Sequence, residues 1–260
     1  MIETSQIIIE YNLELFVKNI FVMENHNKTI KSNLPFFADG YPGIIFLEAE
    51  YKAILLPRKK ELSQFFLYGQ TLNPIEISLE GSYQLIVFQL YPFSSRLLFS
   101  VDPKKLNDEC YDLSKIKGAN INNPLDRLVT IDYTEMRIRL IAQFLSKLAE
   151  EKGLQKYQEI QMAIQIVNER KGMISVNEIA ESMKISERTL QRMFKDYIGI
   201  SPKKFANIIQ FQTSLTQISQ DSFLKLTDVV YENGYADQSH FIRNIKKFTG
   251  KRPSQLKSEK

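Results

Sequence analysis

The first part of the chain carries short apolar runs separated by polar and turn-forming residues, a pattern typical of β-strands. Two runs, at residues 44–47 and 53–56, flank a polar corner and predict a β-hairpin. Residues 75–79 alternate strictly between apolar and polar positions, and a longer apolar run follows at residues 83–91. Several short strands with turns between them predict a small barrel or sandwich over residues 1–118.

Helical spacing replaces this pattern in the next segment, residues 119–153, which we predict to be a linker followed by an amphipathic helix. Turn-forming residues at 118–124 indicate the linker. The apolar stripe of the helix predicts about four to six turns and contains Met136, Leu140, Ile141, Phe144, Leu145 and Leu148. Such a stripe can pack on the β-rich region or on a second copy of the chain, and the sequence favours neither.

The C-terminal part, residues 154–260, contains an internal repeat. The pattern Leu190-x-Arg192-x-Phe194-x4-Gly199-x2-Pro202 recurs 51 residues later as Phe241-x-Arg243-x-Ile245-x4-Gly250-x2-Pro253. Each copy predicts a helix, a tight turn and a second helix, with Ser186 and Asp237 as the N-caps of the two second helices. In the first copy the second helix is predicted at residues 187–197 and ends at Gly199. A helix that starts at Pro202 is expected to hold the two copies at a fixed separation.

The second helix of each copy leaves a polar face on its outer side. On the first this face forms a stripe at i, i+3, i+4 and i+7, made of Arg188, Gln191, Arg192 and Lys195. On the second it contains Gln238, Ser239, Arg243, Lys246 and Lys247. Arg and Gln can form paired hydrogen bonds with guanine and adenine edges, whereas Lys acts as a point charge towards phosphates. The repeat therefore predicts two helix-turn-helix units that bind the major groove of double-stranded DNA.

Charge and composition narrow the function further. Residues 154–260 carry 17 Lys and Arg against 11 Asp and Glu, a net charge of +6, while residues 1–153 carry a net charge of −2. A basic C-terminal part favours a polyanionic partner. The single cysteine, Cys110, excludes an internal disulfide, and two histidines are too few for an ordinary His-based metal centre. We therefore expect no metal, no cofactor, no membrane segment and a cytoplasmic location.

A resemblance to a known family adds to this reading. Residues 234–243, followed by Lys246, Lys247, Phe248, Thr249, Gly250 and Pro253, resemble the signature of AraC/XylS-type transcription regulators. The resemblance implies an all-α, seven-helix DNA-binding domain whose two recognition helices enter successive major-groove segments. By motif position it implies base-facing roles for Arg188, Gln191 and Arg192 in the first unit and for Gln238, Ser239, His240 and Arg243 in the second. The family often has an Arg near Gln210, so one DNA-backbone contact is expected to be missing here.

The first half resembles, more weakly, the cupin-like N-terminal domains of some of these regulators, over the stretch of residues 66–113. The expected fold class is thus α+β, with a mostly-β first domain, a helical linker and an all-α C-terminal domain. A ligand pocket in the β domain would draw on Phe46, Phe66, Tyr68 and Phe88, and an enclosed cavity there would favour sensing over a pure interaction role.

The leading hypothesis is a non-enzymatic, sequence-specific transcription regulator controlled by a small molecule or by self-association. Activation is the sign we assign to it, and RNA polymerase, a small-molecule effector and a second copy of the chain are its candidate partners. One alternative is a cupin-like enzyme with a DNA-binding tail, against which stands the lack of a His or carboxylate cluster in residues 1–118. The other is a co-regulator whose N-terminal half only binds another protein.

Overall fold

The computed structural model describes residues 4–116, 124–152, 157–220 and 225–257. It divides into two units, of which the first contains residues 1–35, 41–70 and 75–157 and the second contains residues 36–40, 71–74 and 158–260. The first is rich in strands and the described part of the second is helical, so the predicted α+β class is confirmed. The turn-forming linker predicted at residues 118–124 lies, except for Pro124, outside the described residues.

Two antiparallel sheets form the first unit. The strands are β1 (Val17–Asn25), β2 (Lys31–Phe36), β3 (Gly43–Ala49), β4 (Ile54–Leu56), β5 (Lys60–Glu61), β6 (Phe65–Tyr68), β7 (Ile75–Glu80), β8 (Tyr83–Leu90) and β9 (Cys110–Asp112). One sheet has the order β1-β8-β3-β6-β9 and the other the order β2-β7-β4-β5. The helices of this unit are α1 (Thr4–Glu10), α2 (Ser94–Phe99), α3 (Leu125–Leu128) and α4 (Thr134–Lys152) among the described residues.

The predicted hairpin between residues 44–47 and 53–56 is wrong. β3 pairs with β6 and β8, whereas β4 pairs with β5 and β7 in the other sheet. The five residues between the two runs include no Gly, Asn or Asp, the residues that a tight hairpin turn prefers. The tight turn comes one strand later, between β4 and β5, where Lys59 has a φ of 54°.

Helix α4 packs on the β-rich region, one of the two packing partners that its apolar stripe allows. Five of its six predicted apolar positions are buried, and the Phe144 ring lies 6.0 Å from the ring of Phe65 on β6. Met136, in the first turn, is 56% exposed and does not belong to the packed stripe as predicted. The correct stripe contains Ile138, Leu140, Ile141, Phe144, Leu145 and Leu148.

A buried arginine fastens α4 to the sheet. The Arg137 guanidinium, 3% exposed, donates two hydrogen bonds to the Glu48 carboxylate on β3 and one to Oε1 of Gln84 on β8. Its Nε also donates to the Leu128 carbonyl at 3.2 Å. Because a buried charge is costly unless it is paired and hydrogen-bonded, this set of partners makes burial of the guanidinium tolerable.

The second unit contains seven helices within its described residues, as the family resemblance implies. They are α5 (Gln158–Glu169), α6 (Val176–Ser182), α7 (Glu187–Tyr197), α8 (Pro202–Ser219), α9 (Leu226–Glu232), α10 (Gln238–Thr249) and α11 (Pro253–Lys257). Helix α8 runs without interruption for 18 residues, or about 27 Å. Aromatic pairs join it to both sides, because Phe205 lies 5.8 Å from Phe194 on α7 and Phe211 lies 4.9 Å from Phe248 on α10.

Candidate nucleic-acid interface

The first helix-turn-helix unit consists of α6 and α7. Ser175 and Glu178 form a capping box at the start of α6, and the hydrogen bonds from Ser175 hold the pKa of Glu178 below its ordinary value. Lys184 turns the chain with a φ of 56°, and the Ile185 N–H donates to the Ala180 carbonyl at 3.0 Å. Helix α7 then begins after Ser186, whose Oγ accepts a hydrogen bond from the Thr189 N–H at 3.2 Å. The cap and both bounds of α7 are as predicted.

The second unit, α9 and α10, repeats this construction with a turn that is one residue longer. Gly234 has a φ of 68°, which a residue without a Cβ adopts easily, and the Tyr235 N–H donates to the Val230 carbonyl at 3.0 Å. The predicted cap Asp237 accepts a hydrogen bond from the His240 N–H at 2.6 Å. Helix α10 ends at Gly250, which has a φ of 74°.

Helices α7 and α10 each divide into a buried and an exposed face, as the sequence pattern predicts. The buried side chains are Leu190, Met193 and Phe194 on α7 and Phe241, Ile245 and Phe248 on α10. The exposed side chains are Arg188, Gln191, Arg192 and Lys195 on α7 and Gln238, Ser239, His240, Arg243, Lys246 and Lys247 on α10. The structure thus gathers each predicted set on one solvent-facing side of its helix.

The six cations of this surface have no acidic partner within 4 Å among the described residues: Arg188, Arg192, Lys195, Arg243, Lys246 and Lys247. Two exposed side chains do make ring contacts within the unit. The His240 ring lies 5.4 Å from the Tyr235 ring, and Nζ of Lys247 lies 5.1 Å from the centre of the Phe248 ring. Unpaired cations on two helices form a surface suited to polyanions.

Gln210 on α8 makes a structural contact with the turn of the second helix-turn-helix unit that the sequence did not predict. Its side chain is 8% exposed, and its Nε2 donates a hydrogen bond of 2.7 Å to the carbonyl of Asn233 in the second turn. The side chain at this position therefore joins α8 to the second unit. No local sequence signal identifies the pair, because the two residues lie 23 positions apart.

The four proposed pocket residues of the β-rich unit are all buried but do not share one face of the sheet. Register places Phe46 and Phe88 on the face that bears α4, where Phe46 lies 5.2 Å from Cζ of Arg137. Phe66 and Tyr68 lie on the opposite face. Phe66 also lines a cavity of about 550 Å³ together with Lys60, Cys110 and Tyr111.

The structure also bears on cysteine reactivity, metal binding and membrane insertion. Burial raises the pKa of the Cys110 thiol to about 12, which keeps it protonated and poorly nucleophilic near neutral pH. The described residues contain no group of three or more His, Cys, Asp or Glu side chains placed to hold a metal ion. No described helix is both long and apolar enough to cross a lipid bilayer.

Comparisons with known families divide the chain in the same way. Residues 179–259 match a family described as a helix-turn-helix domain, and residues 10–112 match a domain of unknown function. The HTH-type transcriptional activator RhaS of Escherichia coli is 30% identical over 63 residues, which represent 24% of this chain and 22% of RhaS. The chain therefore matches less than a quarter of the length of this relative.

A solved structure shares the fold of most of the chain. The crystal structure of unsaturated fatty acid bound ToxT from Vibrio cholerae has a TM-score of 0.50 and 14% identity, over 91% of this chain and 94% of that one. At this identity the likeness concerns the fold alone. The helix-turn-helix match begins within α6 and includes both recognition helices, α7 and α10. It confirms the resemblance seen in the sequence. Residues 179–259 of this chain therefore match a helix-turn-helix domain family, and part of the chain is similar to a transcriptional activator.

Proposed function

We propose that this chain is a sequence-specific DNA-binding regulator of transcription. The observation that carries the proposal is the pair of capped recognition helices, α7 and α10, each with an exposed polar face and unpaired cations. Helix α8, about 27 Å long, lies between the two helix-turn-helix units in the chain and packs on α7 and on α10. Successive major-groove segments on one side of B-DNA lie about 34 Å apart, which one chain with two such units is suited to span.

The side chains of the two helices would divide the work by their chemistry. Arg188, Gln191 and Arg192 on α7, and Gln238, Ser239, His240 and Arg243 on α10, would face the bases. Lys195, Lys246 and Lys247 would meet phosphates, because an ammonium group is a mobile point charge without a fixed hydrogen-bonding geometry. Phosphate contacts would position the protein, and the base contacts would select the sequence.

We further propose that the β-rich unit controls the helical DNA-binding unit, by binding a small molecule or by self-association. ToxT, whose structure holds an unsaturated fatty acid, offers a precedent for a small-molecule effector in a protein of this fold. Of the four expected pocket residues, Phe66 and Tyr68 share a face of the sheet and are the better candidates for ligand contact. A first domain at residues 1–118, a linker region at 119–153 and a DNA-binding domain at 154–260 remain our proposed division.

The same proposal makes the chain a non-enzymatic, cytoplasmic transcription activator that works with RNA polymerase, alone or as a homodimer. The relative RhaS is described as a transcriptional activator, which supports this sign of regulation. An unreactive Cys110 and the lack of a metal-binding cluster among the described residues give no support to the alternative of a cupin-like enzyme.

Binding of the full chain to a pool of genomic DNA fragments at increasing salt tests the proposal. We expect log K to fall linearly with log salt, with a slope of about −3 if the three lysines Lys195, Lys246 and Lys247 meet phosphates. The double variant Arg188→Ala, Arg192→Ala should relax sequence selection in the segment that α7 reads, whereas the control Lys28→Ala, an exposed lysine of the β-rich unit, should change nothing. Binding that is insensitive to salt, or equal for all fragments, would overturn the proposal.

A further inference from the structure

One face of α8 carries a row of polar side chains that contact the turn of the second unit. Gln210, Ser214 and Gln217 are spaced i, i+4 and i+7 and so lie on one side of the helix. Besides the bond from Gln210 to the Asn233 carbonyl, Nδ2 of Asn233 donates to Oε1 of Gln217 at 2.7 Å. Oγ of Ser214 lies 3.3 Å from the Tyr235 hydroxyl. We call these five residues the polar seam.

The first helix-turn-helix unit has apolar residues at the two turn positions that correspond to Asn233 and Tyr235 of the seam. The N–H groups of Asn233 and Met183 both donate to the carbonyl four residues earlier, and those of Tyr235 and Ile185 both donate five residues back. Asn233 and Tyr235 thus replace a Met and an Ile of the first unit. Hydrogen bonds are directional whereas apolar contacts tolerate sliding, so the second turn is held in one orientation against α8.

The seam is buried, which makes each of its hydrogen bonds matter. Ser214 is fully buried, Asn233 and Tyr235 are each 3% exposed, and Gln210 is 8% exposed. A buried donor or acceptor that loses its partner cannot form a replacement hydrogen bond with water, and its loss destabilises the local structure. The second turn is therefore expected to shift if the seam is broken.

Tyr235 connects the seam to the start of the second recognition helix. Its ring lies 5.1 Å from the ring of Phe241, a fully buried residue in the first turns of α10, and 5.4 Å from the ring of His240. Burial raises the pKa of Tyr235 to about 12, so the hydroxyl stays protonated and able to hydrogen-bond. A displaced turn would therefore displace the first turn of α10, which carries Gln238, Ser239 and His240.

The backbone of α8 at Gln210 is itself fixed from another side. Gly172, which follows α5 and has a φ of 76°, approaches so closely that an added Cβ would lie 2.5 Å from the Gln210 nitrogen. The same Cβ would also clash with the Ala206 carbonyl oxygen. Gln210 thus projects from a fixed point of the helix to the Asn233 carbonyl.

We propose that Gln210 is a positioning residue for DNA reading by α10. It contacts no base itself but acts through Asn233 and Tyr235, whose placement sets the orientation in which α10 meets the major groove. This inference rests on the proposed function. It assigns to α8 a hydrogen-bonded contact that orients the turn of the second helix-turn-helix unit, where the first helix-turn-helix unit has apolar residues in its turn.

The test compares two variants of the full chain, Gln210→Met and Gln210→Glu, on a DNA site selected by the unchanged chain. Hydroxyl-radical footprinting reports the two half-sites separately. We expect Gln210→Met to weaken protection of the second half-site about tenfold while the first is retained, because one buried hydrogen bond is lost. Gln210→Glu should weaken it further, because its carboxylate faces the Asn233 carbonyl oxygen. Thr216→Ala, exposed on the same helix, is the matched control and should change neither half-site.

A milder variant keeps the test sharp if the Gln210 variants fold poorly. Tyr235→Phe removes only the hydroxyl that faces Ser214 and keeps the ring contacts, so it should show the same selective loss at smaller size. Equal weakening at both half-sites, or no weakening by any of the variants, would overturn the inference. If the unchanged chain binds no DNA in a salt-sensitive way, the proposed function fails and this inference fails with it.

Discussion

Ser186 and Asp237 cap the two recognition helices in the same way. Each accepts a hydrogen bond from the backbone N–H three residues later, Ser186 from Thr189 and Asp237 from His240. The turn before Asp237 is one residue longer than the turn before Ser186, yet both helices begin at the residue after the cap. The two units are therefore built to the same plan at the point where each would enter DNA.

Loss of the Ser186 cap should measurably lower the stability of the helical C-terminal part of the chain. We expect Ser186→Ala to lower the free energy of unfolding by about 1 kcal/mol, because the Thr189 N–H loses its acceptor at the end of a helix. Ser186→Asp offers an acceptor at the same place and should stay within about 0.3 kcal/mol of the unchanged chain. Urea unfolding followed by circular dichroism measures both. Equal losses of stability for the two variants would show that the hydrogen bond accepted by the cap is not what stabilises the helix.

Two buried asparagines of the second unit should respond to the same substitution with opposite signs. Asn233, 3% exposed, is hydrogen-bonded to Gln217 and to the Val229 carbonyl, whereas Oδ1 of Asn244, 9% exposed, has no partner among the described residues. We expect Asn233→Leu to destabilise by about 2 kcal/mol and Asn244→Leu to stabilise by about 1 kcal/mol. Denaturant midpoints compare them, and a gain for Asn233→Leu would contradict the account.

Two arginines on α4, two positions apart, should differ strongly in their contribution to stability. Arg137 is buried and paired with Glu48, whereas the side chain of Arg139 is 38% exposed and pairs with Glu10 and Glu135 at the surface. Arg137→Met should cost about 3 kcal/mol, because it leaves the Leu128 carbonyl and Gln84 without their donor. Arg139→Met should cost less than about 1 kcal/mol, as exposed ion pairs do. Thermal unfolding that ranks the two in the reverse order would refute this assignment.

The elements predicted best from the sequence are those that local chemistry defines. Helix α7 begins after Ser186 and ends before Gly199 as predicted, because a cap and a glycine with positive φ mark its ends within the segment itself. The repeat also predicted the buried and exposed faces of α10 correctly, because helical periodicity is a property of neighbouring residues.

The features that sequence did not predict depend on residues far apart in the chain. The runs at residues 44–47 and 53–56 look like a hairpin locally, but each finds its partners in a different sheet. Gln210 could not be recognised as a partner of Asn233, because a glutamine on a helix carries no sign of whether it faces solvent or another element. The burial of Arg137 depends likewise on Glu48, 89 positions earlier.

The two recognition helices should differ in what their substitutions do to DNA selection. Arg192→Ala should cost about 1–3 kcal/mol at the preferred site and relax selectivity at one base pair, if the guanidinium grips a guanine. Arg192→Lys keeps the charge without the paired donors and should restore affinity more than selectivity. Lys247→Ala, near the end of α10, should weaken all sequences alike and reduce the salt slope by about one. Selection of binding sites from random DNA measures the motif that each variant prefers. A changed motif for Lys247→Ala with an unchanged motif for Arg192→Ala would contradict these assigned roles.

Hydroxyl-radical footprinting of the full chain on its selected site tests the central claim most directly. If α7 and α10 both enter the major groove from one connecting helix, each protomer should protect two unlike segments whose centres lie about 10 base pairs apart on one side of the duplex. A single protected segment of about five base pairs per protomer would show that only one recognition helix docks, and would contradict the account of two reading units.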